Sequence, residues 1–260
     1  MSPGQADRST PSGAVVARAV VAGDVVEDAG APGAEAGPAA RRPAMRGVLH
    51  EAGFFVSLVA GPLLVASAPD LRARELSGVY AASLILMLGT SALLHRRTWS
   101  IEHLRIMRKL DMAMIFVLIA GTYTAVVGIT LRSWLAGVVL WVVWGVAAVG
   151  SVAALCFAGR GLRSPAERRP SKWVVLLPYL GVGWLAMSLM AALLHSLGAE
   201  GAALLLAGGV VYTAGAVVYA ARAPDPWPET FGYHEVFHAL VLLGAGCHFA
   251  LVALVVLPHA

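Results

Sequence analysis

Residues 234–238 read His-Glu-Val-Phe-His, two histidines four apart with a glutamate after the first. On a helix this spacing sets both imidazoles on one face. Zinc proteases use it with the glutamate as the base that activates water. The pattern nevertheless opens one of the most apolar stretches of the chain, and the residues downstream of it do not fit a protease. One class of zinc protease takes its third ligand from a downstream glutamate, but no Asp or Glu comes after Glu235. Another needs a glycine and a histidine at fixed later positions, which here are Val241 and Gly244. Intramembrane metalloproteases draw an aspartate from a later span, and this chain has no later span. The match to the protease pattern is therefore expected to be incidental, and a third ligand has to come from elsewhere.

Two other places carry polar chemistry. His95 stands four residues after Ser91 in "SALLH", so a hydroxyl and an imidazole share one helix face. Asp111 comes after Arg108 and Lys109 at the start of another apolar run. Whether these residues meet His234 and His238 depends on the elements that carry them.

Composition decides what those elements are. Of 260 residues, 58% are hydrophobic and 13% charged, and the mean hydropathy is +0.75. Soluble domains carry about 25% charged residues. That deficit, together with apolar runs of about twenty residues, predicts a multi-pass protein of the cell membrane. The net charge of +4 is small, and the arginines sit at the ends of apolar runs rather than along a stripe, which excludes a nucleic-acid partner. Cys156 and Cys247 lie in apolar segments, so no disulfide framework is expected.

Residues 1–44 are rich in Ala, Gly, Pro, Ser and acidic residues and contain no aromatic residue. Such a segment cannot bury enough apolar area to offset its ordering entropy, and it is expected to be a disordered cytoplasmic tail. The remainder, residues 45–260, is expected to be a membrane domain. Its apolar runs cover roughly 47–68, 76–95, 110–131, 134–157, 172–194, 201–221 and 232–257. Each can cross a hydrocarbon core of about 30 Å at about 1.5 Å per residue. Helices are required because backbone amides in lipid must pair within the segment, and nothing alternates as barrel strands do. The expected fold is an all-α integral membrane protein, a seven-transmembrane helix bundle. Of 19 Lys and Arg residues, 16 fall on the side that holds the N-terminus, against Arg72, Arg74 and Arg132 on the other. The excess puts the N-terminus in the cytoplasm and the C-terminus outside.

This orientation brings His95, Asp111, His234 and His238 to one depth near the cytoplasmic face. His195 ends "AALLH", close to "SALLH", but its span runs the other way, which sets it about 30 Å from the others. His248 lies about 15 Å further along its helix than His238, and His259 is expected outside. Each residue also has a plainer reading. His95 can rest in the interface beside Arg96 and Arg97, and the 234/238 pair can bond to neighbouring carbonyls. Asp111 can be a first-turn acid favoured by the helix dipole. Glu235 points away from His234 toward a neighbour or the headgroups, and Ser91 can bond back to its own helix. Their coincidence argues otherwise, since ionisable groups inside spans are costly and mark function. Three imidazoles with a carboxylate nearby suit Zn2+, and an open fourth position describes a catalytic site.

The segments "GTSALLHRRTWS", "MRKLDMAMIFVLIAGTYT" and "FGYHEVFHALVLLGAGCHF" resemble the marker segments of the hemolysin III family, bacterial members of the progestin and adipoQ receptor superfamily. The similarity runs over about residues 45–257 and keeps the family order. It implies seven helices, a cytoplasmic N-terminus, and a zinc ion held near the inner face by His95, His234 and His238. It further implies Asp111 and Ser91 beside the zinc-bound water, and hydrolysis of a lipid amide as in related ceramidases, with a membrane lipid as substrate. Two positions depart from the family pattern. Met112 and Ala113 come after Asp111 where many relatives have His-Ser, and Ala125 replaces a frequent proline. The first removes polar neighbours that would tune the site, and the second removes a kink. The competing expectation is a non-enzymatic membrane protein, a pore-forming or cytolytic factor or a sensor, with a structural zinc. A pore needs a continuous polar stripe, whereas the outer halves of these spans are rich in Leu, Val and Ala.

Overall fold

The computed structural model describes residues 43–157 and 172–260. Residues 1–42 of the expected 1–44 tail and the basic 160–170 loop lie outside the described residues, whereas the Ala44 amide is bonded to the Glu229 carbonyl. All regular structure among the described residues is helical. The helices are α1 (Val48–Ala66), α2 (Leu71–Arg96), α3 (Ile101–Thr130), α4 (Trp134–Phe157), α5 (Lys172–Trp184), α6 (Met190–Ala221) and α7 (Tyr233–Leu251). Six helical stretches are long and apolar enough to cross a membrane, Lys172–Ala221 counting as one of 50 residues.

Within that stretch the helix tightens to a 3-10 turn over Leu185–Leu189, and Gly198 leaves helical geometry altogether (φ 69°, ψ −176°). A residue with a Cβ is strained at such a φ. The chain folds back there. Lys172 Nζ donates to the Tyr219 carbonyl at 3.1 Å, and Trp184 Nε1 donates to Thr213 Oγ1 at 3.0 Å, so the two arms run antiparallel.

Two helices begin earlier than the apolar runs. Asp70 accepts from the Ala73 amide at 2.7 Å and starts α2 at Leu71. Ser100 accepts from the His103 amide at 3.4 Å and starts α3 at Ile101, so residues 101–109 form helix and not the expected loop. The reason is amphipathic packing. Leu104 and Met107 are buried with Leu94, against Trp99 and Leu110, while the charged residues take the other faces.

α3 is the central helix, with residues 120–129 all buried. The outer surface is the reverse of a soluble protein's, as Trp141 at 82% exposure shows; apolar side chains there meet lipid at no cost. Several polar groups inside have specific partners. Tyr123 donates to the carbonyls of Val182 and Gly183, both at 2.9 Å, which the 3-10 turn leaves without a full helical ladder. Cys156 and Cys247 are free thiols, as expected.

Close approach of α2 and α3 depends on Gly121, where a Cβ would overlap the Ser83 side chain, itself bonded to the Tyr80 carbonyl at 2.7 Å. Further along, Leu76 lies opposite Gly128. Gly121→Ala should therefore cost about 1–3 kcal/mol through overpacking. Gly137→Ala, with open space around it, should be neutral or slightly stabilising through helix propensity. Melting temperatures of the two variants in one detergent check this. Equal behaviour would show that α2 and α3 do not pack at Gly121.

A candidate metal centre

α2 ends on His95, and the first two turns of α7 carry His234 and His238, so the site needs the C-terminal end of α2 beside the N-terminal end of α7. Gly47 makes part of that approach possible. It precedes α1 at φ 79°, and a Cβ there would stand 2.6 Å from the His95 Cβ. The start of α7 is fixed by its own residues. Glu235 Oε2 accepts from the Gly232 amide at 2.9 Å, and Asp225 Oδ1 accepts from the Tyr233 amide at 2.8 Å. Segment 43–46 closes over the same end, its Ala44 and Met45 amides donating to the carbonyls of Glu229 and Thr230 at 2.9 and 3.0 Å.

The three histidines meet. His95, His234 and His238 are buried, and one ring nitrogen from each lies within 4.8 Å of the other two. The Nε2 atoms of His95 and His234 are 3.4 Å apart. Bonds of about 2.0–2.1 Å to a tetrahedral ion set its ligands about 3.3 Å from one another, so that pair already has ligand spacing. Nδ1 of His234 and Nδ1 of His238 are buried without a hydrogen-bond partner among the described residues. Leaving a buried ring nitrogen unpaired is costly, so these rings are incompletely satisfied by the protein alone. The cluster can hold an ion, and its all-nitrogen donor set suits zinc, copper, iron or nickel.

Around this trio, Ser91 is buried one turn before His95. Asp111 is half-buried on α3. Continuing the register set by Ser83 opposite Gly121 and Leu76 opposite Gly128 puts it level with Leu93, in the turn before His95. Glu235 is only 1% exposed, and its Oε1 forms an ion pair with Arg46 Nε at 3.1 Å. With both oxygens engaged, this carboxylate is tied to the N-terminal segment and to the helix start. His195 is exposed, three residues before the Gly198 break, and so lies about 30 Å of helix from Tyr219, whose ring is 5.7 Å from His234. His248 donates to the Leu205 carbonyl at 3.3 Å in space left by Gly208. His259 is exposed and donates to the Val255 carbonyl at 2.6 Å.

Sequence reasoning missed a fourth histidine. His50 on α1 is 3% exposed, its ring lies parallel to that of His238 at 3.8 Å with a 4° tilt, and its Nδ1 is 2.8 Å from Ser91 Oγ. It also missed Arg46 as the partner of Glu235. The available signal was a histidine in the first turn of an apolar span, the same cue that singled out His234.

Among known proteins, a family profile described as "Haemolysin-III related" matches residues 39–249. The chain is 33% identical over 185 residues to "Hemolysin-3" of Bacillus cereus, covering 70% of this chain and 75% of that one. It is 30% identical over 211 residues to "Hemolysin-3 homolog" of Bacillus subtilis (strain 168), covering 78% and 88%. With its apolar helices, this is a multi-pass membrane protein, in bacteria one of the plasma membrane. The chain belongs to the haemolysin-III related family.

Proposed function

We propose that this protein crosses the membrane seven times, cytoplasmic N-terminus to outer C-terminus, and holds one zinc ion on His95, His234 and His238. In this reading it hydrolyses an amide or ester bond of a membrane lipid at that site. One observation carries the proposal: three buried imidazoles from two helices converge at one end of an apolar-surfaced bundle. The reversal at Gly198 supports counting Lys172–Ala221 as two crossings. A lipid substrate is supported by the bundle's apolar exterior, since the bilayer itself delivers molecules to a site inside it.

Held by these three histidines, zinc would supply the acidity that activates a water near neutral pH. Asp111 is the proposed proton carrier. Its carboxylate accepts the proton that water loses as the water oxygen bonds to the acyl carbon, then returns it to the nitrogen or oxygen that departs. Ser91 orients the water. Glu235 cannot take the carrier's part, because its charge is committed to Arg46. The burial of the trio excludes bulk water from the reacting bond, which strengthens each of these interactions.

Topology is tested by single cysteines in a cysteine-free background on intact cells. Positions in 196–200 and near His259 should label from outside, and positions in 98–107 and 160–170 should not. Reversed labelling would place the trio at the outer face.

Purified protein should carry about one zinc per chain. His95→Ala and His238→Ala should lose most of it, because a three-ligand site tolerates no vacancy. His195→Ala should keep it. Elemental analysis decides, and equal loss in all three variants would refute this ligand set.

Asp111→Asn should fold and keep zinc while turnover of lipid amides falls by about 10²- to 10⁴-fold, the usual worth of a general base. Undiminished turnover in this variant would remove Asp111 from the mechanism. Absence of wild-type turnover on a broad lipid panel would favour a structural zinc.

A further inference from the structure

A metal-binding histidine ordinarily donates its second ring nitrogen to a carboxylate, carbonyl or water, and that bond sets the ring's orientation. His238 has no such bond, since its Nδ1 is buried without a hydrogen-bond partner among the described residues. What the ring does have is a face-to-face neighbour. His50 lies parallel to it at 3.8 Å, whereas His95, His234 and Phe237 touch it at angles of 57–62°.

His50 is itself held in place. Its Nδ1 is 2.8 Å from Ser91 Oγ, and among the described residues neither group has another hydrogen-bond partner. Two arrangements of the protons are open. If His50 carried its proton on Nδ1 and donated to Ser91, both the hydroxyl proton and the Nε2 lone pair would be left unsatisfied. If Ser91 donates to Nδ1, only the Nε2 proton is left. Each unsatisfied buried group is costly, so the second arrangement prevails. Ser91 then has its proton committed and offers lone pairs only.

His50 cannot be a fourth ligand. Its ring lies face to face with that of His238 and not edge-on toward it, so its nitrogens do not converge with those of the trio.

We infer that His50 is a positioning residue of the metal centre. Its ring face fixes the rotation of His238, and its Nδ1 makes Ser91 an acceptor for a hydrogen-bond donor at the site, a water or an amide N–H. This rests on the proposed zinc site of His95, His234 and His238.

The experiment uses full-length protein in detergent with zinc and cobalt(II) as probes. His50→Phe keeps a flat ring and should bind zinc within about threefold of wild type, with an unchanged cobalt visible spectrum. His50→Ala removes the face and His50→Leu fills the space without one. Both should bind zinc about 10- to 100-fold more weakly, the usual effect of losing an orienting partner, with a shifted cobalt spectrum. Melting of the metal-free variants separates this from a general loss of stability, which would lower melting without altering the spectrum of the cobalt that binds. Leucine keeps the test open if the alanine variant does not fold. Weakening by phenylalanine equal to that by alanine would make a nitrogen the essential part and overturn the inference. Wild-type affinity in both non-planar variants would overturn it too. A wild-type protein that binds no metal would instead refute the zinc site, and this inference with it.

Discussion

A polar group inside a bundle surrounded by hydrocarbon has no water to turn to, and its partner must come from the protein. Much of this architecture obeys that constraint. Tyr123 serves the carbonyls loosened by the 3-10 turn, Trp184 reaches Thr213, and Trp144 reaches Thr124 Oγ1 at 3.0 Å. Thr122 and Thr124 bond back to their own helix. The ion pair of Arg46 and Glu235 meets the same demand at higher stakes, because removing Arg46 would leave the buried Glu235 carboxylate without its cation, at a cost of about 3–5 kcal/mol. Against that background the unsatisfied nitrogens of His50, His234 and His238 stand out, since they gather at one end of the bundle around a space that an ion and its ligands fit.

The pairing also explains why the N-terminal segment matters to a site it does not enter. Residues 43–47 bond to the 229–230 loop, carry the arginine that meets Glu235, and turn through Gly47 directly against His95. One short stretch thereby ties the ends of α1, α2 and α7 together. Its backbone could not pass so close to His95 with a side chain at residue 47.

Apolar runs and arginine placement made the helical class and most helix positions legible from sequence, because lipid imposes a length and a composition that leave few alternatives. The convergence of His95 with His234 and His238 was legible for the same reason: with helix direction alternating, depth comes from counting. What could not be read was rotation about each helix axis. Ser91 and His50 share a hydrogen bond across 41 residues, and no periodicity states that α1 turns His50 toward α2 and α7. The charged start of α3 was hidden because its apolar stripe, Leu104 and Met107, is only two residues wide. Glu235 looked peripheral from its angle on the helix, yet the segment that buries it comes from the opposite end of the domain. Asp111 shows how a motif outlasts its context. The histidine and serine often found after it in relatives are here Met112 and Ala113, whose carbonyls instead accept from Tyr179 and Ser151.

His95 and His234 are 139 residues apart in the chain. At a synthesis rate of about 5–20 residues per second, roughly 7–28 s separate their emergence from the ribosome. Through that interval α1 and α2 must reside in the bilayer with His95 lacking its eventual neighbours. The His50–Ser91 bond needs only these first two helices, so it can form at once and fix one side of the centre before the other exists. Closure of the three-histidine cluster is then necessarily a late event in biogenesis, delayed until α7 inserts. A ribosome-bound intermediate lacking α7 is a membrane protein already built around an unfinished pocket.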